Sequence, residues 1–143
     1  MAAPHDHMTL SMPSNPQYLC AVRGFFSSLC NDLKFDEQEV SRIVLAIHEA
    51  CTNVIKHCYN GDCEQRIDFT IRITPEHFIV DIQDYGGPQD ISRIGPRALE
   101  QVRPGGLGTH FIQSVMDDVT YNSSEAGTVL RMTKRRGAPC KSV

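Results

Sequence analysis

Apolar residues recur along this chain with two different periods, and the change between them divides it into a helical part and a strand-rich part. From Pro16, the positions Leu19, Val22, Phe26 and Leu29 follow helical spacing, which predicts a first helix to about Leu33. Asp36, with Glu39 three residues later, has the form of a capping box and opens a second helix. Val40, Ile43, Val44, Ile47, Cys51, Val54 and Ile55 mark one face of that helix as far as about Cys58, and Asn60-Gly61 ends it. Ahead of both, residues 8–13 are weakly apolar and stop at Pro13, as an edge strand would.

The period then becomes two. Ile67, Phe69, Ile71 and Ile73 alternate with Arg66, Asp68, Thr70 and Arg72, the pattern of a half-buried strand. After a turn at Thr74-Pro75-Glu76-His77, Phe78, Val80 and Ile82 alternate with Ile79, Asp81 and Gln83, so a second strand pairs antiparallel with the first. It stops at Asp84, because Gly86-Gly87-Pro88 cannot continue a ladder. Residues 88–107 read as a long irregular segment of the sort that covers a functional site or stays disordered. A helix from Thr109 to about Met116 follows, and two strands, Asp118–Tyr121 and Thr128–Thr133, close the domain around a turn at Ser123–Gly127. Helices first, then strands, then a helix before the last pair make an α+β fold: a two-layer sandwich of helices on a mixed, mainly antiparallel sheet. One domain is expected over residues 8–136, with residues 1–7 and 137–143 as disordered ends.

Composition narrows the function. A chain of 143 residues buries a core without staples. A net charge of −3 and a pI near 6.0 argue against nucleic acid as a direct partner, since phosphate binding wants a basic face. No apolar run approaches the ~20 residues that span a bilayer, and the N-terminus lacks the layout of a secretion signal. A cytoplasmic protein with no membrane association is expected. The six cysteines include no Cys-x-x-Cys pair, so reduced and mostly buried thiols are the default.

Three short patterns carry the candidate chemistry. On a helical wheel of ~100° per residue, Glu49, Asn53 and His57 fall within about 80° of one another, apart from the apolar face. An amide oxygen such as that of Asn53 can ligate Mg²⁺, and a carboxylate such as Glu49 can take a proton from an attacking hydroxyl. Asp84, leaving a strand and followed by Tyr85-Gly86-Gly87, can read the exocyclic amine of adenine. Gly105-Gly106-Leu107-Gly108 runs into Thr109-His110-Phe111-Ile112, so free backbone N–H groups at a helix start can meet a phosphate. Each pattern alone also has an ordinary reading: solvent-face residues, a turn after a strand, and a hinge before a helix. Their order and spacing together are far more specific, and no Gly-x-x-x-x-Gly-Lys-Ser/Thr loop is present to hold a nucleotide instead.

At these residues the chain resembles the GHKL (histidine-kinase-like) ATPase superfamily. Glu49-Ala50-Cys51-Thr52-Asn53-Val54-Ile55-Lys56-His57 is similar to its N-box. Asp84-Tyr85-Gly86-Gly87 is similar to its first glycine box, departing at Pro88 where a full box has glycine. Gly105-Gly106-Leu107-Gly108-Thr109, continuing to Met116-Asp117-Asp118-Val119, resembles the second box and, with the short length, points to the bacterial anti-sigma factor serine kinases. The resemblance implies a Bergerat-type ATP-binding fold with ATP and Mg²⁺. It gives Asn53 to the metal, Glu49 to the serine hydroxyl as base, Asp84 to the adenine amino group, and Gly86 to close backbone approach. Gly105, Gly106, Leu107, Gly108 and Thr109 would line the phosphate lid, Thr128 would sit near the adenine, and His57 would take a common N-box position.

The same resemblance implies the partners: a sigma factor, and an anti-anti-sigma antagonist of the STAS type that is phosphorylated on serine. Members of this kind tend to form homodimers, which apolar residues near the N-terminus permit. Two other functions fit the same sequence. One is a nucleotide-gated binding module that switches partners without phosphorylating them, and the other is a zinc- or thiol-based regulator using His57, Cys58 and Cys63.

Overall fold

A computed structural model describes residues 6–86 and 104–137, with residues 104–108 through their backbone only. The chain runs β1 (Asp6–Pro13), α1 (Leu19–Asp32), α2 (Glu37–Asn53), β2 (Arg66–Ile73), β3 (His77–Gln83), α3 (Pro104–Val115), β4 (Asp118–Ser124) and β5 (Gly127–Arg135). A 3₁₀ turn at Pro16–Tyr18 leads into α1, and a π turn at Val54–Cys58 extends α2. The strands form one five-stranded sheet in the order β1-β2-β3-β5-β4, and all four pairings are antiparallel. The sheet is thus more uniform than the mixed sheet expected. Because β5 lies between β3 and β4, the segment containing α3 must pass over β5 to reach the edge position of β4.

The helices cover one face. The apolar halves of the strands supply Ile67, Phe69, Ile71, Phe78, Val80 and Met132 to the core, against Phe26 of α1, Ile43 and Ile47 of α2, and Ile112 of α3. Phe26 meets Phe69 with ring centroids 5.6 Å apart, and Phe35 meets Phe78 at 6.0 Å. On the opposite face the alternate residues are polar. Asp81 stands across from Arg131 in the register and accepts two bonds from its guanidinium, at 2.7 and 2.8 Å. This two-faced pattern is what the period-two alternation requires of an antiparallel sheet covered on one side.

Local chemistry accounts for the ends of the elements. Asp36 is the cap of α2, its Oδ1 accepting from the N–H of Glu39 at 2.8 Å. Beyond the π turn, Asn60 and Gly61 take positive φ values of 51° and 83°, which ends the helix. At the other helix end, the Lys134 ammonium donates to the Val115 carbonyl at 2.8 Å, where the α3 dipole favours a cation. Three boundaries differ from the sequence reading. The first strand begins at Asp6, so Asp6 and His7 are strand residues. The β4–β5 hairpin is tighter, with Ser124 already paired to Gly127. The third helix starts at Pro104, five residues before Thr109, so the glycine run lies inside its opening turns. Proline suits that start, since its fixed φ is helical and its missing N–H would have found no acceptor there. The expected irregular segment otherwise falls outside the described residues up to position 103, as do Gly87 and Pro88.

Candidate nucleotide site

Asp84 is the centre of the site. It leaves β3 at the edge of the helical layer and is only 3% exposed. A carboxylate so buried needs donors around it, and three are present. Its Oδ1 accepts from the N–H of Gly86 at 3.1 Å and from the N–H of Thr128 at 3.3 Å, and the Cys58 thiol also hydrogen-bonds to it. Since a carboxylate has about four acceptor positions, these leave room for one further donor. An exocyclic amine is a group of that kind.

Two glycines allow the surrounding turns to close on Asp84. Gly127, at the start of β5, has φ +132°, and a Cβ there would fall 2.0 Å from the Asp84 carbonyl oxygen. Its neighbour Thr128 therefore reaches Asp84 twice, accepting the Asp84 N–H at 2.9 Å through its carbonyl and donating back through its own N–H. The Thr128 side chain is buried, with its hydroxyl 3.3 Å from that of Ser123. Gly86 is needed for a different approach from the one anticipated. A Cβ on it would lie 2.8 Å from the Cys58 carbonyl oxygen, so its bare face meets the end of the π turn.

That π turn also decides how the second helix presents its polar residues. Tyr59 donates its N–H back five residues to the Val54 carbonyl at 3.0 Å, one residue further than an α-helix allows. Glu49 and Asn53 precede the change, one helical turn apart on α2, and both are half-buried. His57 follows it and is exposed, so the constant angular step that aligned all three on the wheel does not extend to it. Among the described residues the Asn53 amide makes no hydrogen bond, which leaves its oxygen available to a hard cation. The donor set therefore fits Mg²⁺ accompanied by phosphates, with Asn53 as its protein ligand. It does not fit zinc: among the described residues, no group of three His, Cys, Asp or Glu side chains comes together to hold a metal.

On α3, the N–H groups of Gly105 and Gly106 fall among those that a helix start leaves without intrahelical acceptors, and the ladder takes up donors from about Leu107 onward. The phosphate-facing capacity assigned to Gly105, Gly106, Leu107 and Gly108 thus narrows to the first two. Thr109 is buried and bonds to Tyr121 of β4, tying this end of α3 to the sheet. Burial pushes the Tyr121 hydroxyl up to about 12, opposed by its bond to Thr109 and assisted by Cys58 nearby. Cys58 is likewise pushed up to about 12, by burial first and then by the Asp84 carboxylate. Beside Glu49, His48 accepts a hydrogen bond on Nδ1 from Arg23 of α1 at 3.0 Å, since a guanidinium only donates.

Cys58, Tyr59, Tyr121, Ser123 and the constraint on Gly127 escaped the sequence reading. Tyr59 accepts from the N–H of Tyr85 at 2.7 Å and donates to the Arg66 carbonyl at 2.5 Å, so it fastens the turn after Asp84. A tyrosine or cysteine just past an apolar helical stripe carries no local mark of such a task.

Comparison with known proteins agrees with this geometry. The family model described as "Histidine kinase-like ATPase domain" matches residues 12–134. A protein named Serine-protein kinase RsbW from Listeria innocua is 32% identical over 142 residues, which cover 94% of this chain and 90% of the relative. A protein of the same name from Oceanobacillus iheyensis is 29% identical over 138 residues, covering 91% and 87%. Among solved structures, the RsbU and RsbW domains of a Mycobacterium tuberculosis protein share the fold, with TM-score 0.64, 18% identity, and coverage of 93% of this chain and 32% of that one. By the extent of these matches, and with the N-box and glycine-box residues gathered around Asp84 and α2, the chain belongs to the histidine kinase-like ATPase family, in the branch of the RsbW serine-protein kinases.

Proposed function

We propose that this protein is an ATP- and Mg²⁺-dependent serine kinase that acts in the cytoplasm as an anti-sigma factor: it binds a sigma factor, and it phosphorylates a serine on an anti-anti-sigma antagonist of the STAS type. The observation that carries the reading is the buried Asp84 carboxylate, with its remaining acceptor position, below a helix that offers Glu49 and Asn53 one turn apart. The name that the 32%-identical relative carries supports the kinase assignment. Asp84 would accept the adenine amino group, with Thr128 beside it. Gly105 and Gly106 would donate backbone N–H groups to the phosphates, and Asn53 would hold Mg²⁺ through its amide oxygen. The metal supplies charge neutralisation, the main requirement of phosphoryl transfer besides positioning. Glu49 would orient the serine hydroxyl and take its proton.

The test is incubation with labelled ATP and a candidate antagonist protein, followed by phosphoserine analysis. Label on a partner serine is expected; nucleotide binding without any transfer would instead make the protein a nucleotide-gated binding module. Two variants divide the roles. Asn53→Ala should lose magnesium-dependent ATP binding, whereas Glu49→Gln should bind ATP as before and fail in transfer by about a hundredfold or more. Undiminished transfer by the Glu49 variant removes it as the base.

A further inference from the structure

The turn that presents Asp84 is held against the end of α2 at three points. Gly86 lies bare against Cys58, with its Cβ direction 2.8 Å from the Cys58 carbonyl oxygen and 3.3 Å from the Cys58 Cβ. Tyr85 donates its N–H to Tyr59 at 2.7 Å. The Cys58 thiol bonds to the Asp84 carboxylate itself. We propose that Cys58 is a positioning and specificity-determining residue, its thiol holding the Asp84 carboxylate in the rotation that accepts the amino group of adenine. This inference rests on the nucleotide reading above.

The physical argument concerns one soft torsion. The terminal rotation of an aspartate side chain is broad, so backbone donors alone fix it poorly. Both backbone donors to Asp84, from Gly86 and Thr128, converge on Oδ1. A donor from a third element, at the end of α2, restrains the carboxylate plane in a way that two donors on one oxygen do not. Cys58 is suited to that task because it donates and cannot compete as an anion. Burial and the carboxylate hold its thiol up to about 12, so it keeps its proton throughout the neutral range. The contact with Gly86 fixes the backbone from which the thiol projects, so the donor has little freedom to swing away.

The measurement is binding of two nucleotides to the full chain with magnesium: ATP, and purine riboside triphosphate, which lacks the 6-amino group. Wild type should prefer ATP by about tenfold or more, as for a hydrogen bond to a charged acceptor. Cys58→Ala should narrow that preference by about threefold to tenfold, the range for loss of one orienting hydrogen bond. Cys58→Ser, which keeps a donor, should restore it to within about twofold of wild type. Cys58→Val fills the volume without donating and should behave as the alanine variant does, which covers a failure of the smaller residue to fold. An unchanged preference in the Ala and Val variants overturns the inference. So does an equal loss for both nucleotides that serine does not repair, since that is the mark of a packing role. A wild-type protein that ignores the amino group overturns the nucleotide reading itself, and its arm of the experiment shows that without any variant.

Discussion

At the residue scale, the candidate site depends on backbone approaches that only particular side chains permit. Gly127 has a φ that L side chains rarely adopt, and it leaves no space for a Cβ beside the Asp84 carbonyl. Gly127→Ala should therefore cost about 3 kcal/mol in urea unfolding, from strain and displacement together. It should also weaken nucleotide binding, because the N–H of Thr128 would draw back from Asp84. A variant with wild-type stability would show that the hairpin moves aside freely. Glu49, Asn53 and Asp84 were legible in the sequence because residue type and spacing announce their chemistry. Gly127 and Cys58 were not, because what defines each is a neighbour distant in the chain: Asp84 for both.

At the scale of elements, α2 carries most of the function and owes its form to three local causes. Asp36 caps its start, its apolar stripe packs on the sheet, and the π turn redirects its end. The stripe and the cap could be read from sequence; the π turn could not, since it changes a hydrogen-bond ladder without changing the residue pattern that suggested a helix. Its contact with α1 has a consequence for acid stability. His48 accepts from Arg23, and burial first, then the Arg23 charge, hold its pKa below the ordinary 6.5, against a smaller opposing effect of Glu49. The unfolded chain therefore binds this proton more readily than the native one. Stability should be unaffected by His48 well above pH 6.5 and should fall as the pH drops from there towards the lowered native value. Thermal melts between pH 7 and pH 5 should show a shallower acid loss in His48→Gln than in wild type. Parallel curves for the two proteins would remove His48 from the account. The third helix shows a different lesson, that glycines need not mean a loop. Pro104 starts the helix and the glycines form its first turn.

At the scale of the whole molecule, the site is assembled from parts spread along the chain: α2, the end of β3, the start of β5 and the opening of α3. A ligand that joins so many elements stabilises all of them together. With magnesium and ATP at a hundredfold excess over Kd, mass action alone adds roughly 2.7 kcal/mol, which scanning calorimetry would register as a melting point raised by several degrees. The magnesium-dependent part of that rise should vanish in Asn53→Ala. A melting point indifferent to ATP and magnesium would count against the whole arrangement. The sequence by itself determined which segments are helix and strand, which of their faces are apolar, and which side chains have the chemistry for a nucleotide and its metal. These follow from periodicity and residue type, which act over a few neighbouring positions. Tertiary structure alone decided that β5 lies between β3 and β4, that Thr128 reaches Asp84, and that Cys58 meets both Asp84 and Gly86. Such contacts join residues tens of positions apart, and the packing of the layers, which no local pattern encodes, is what brings them together.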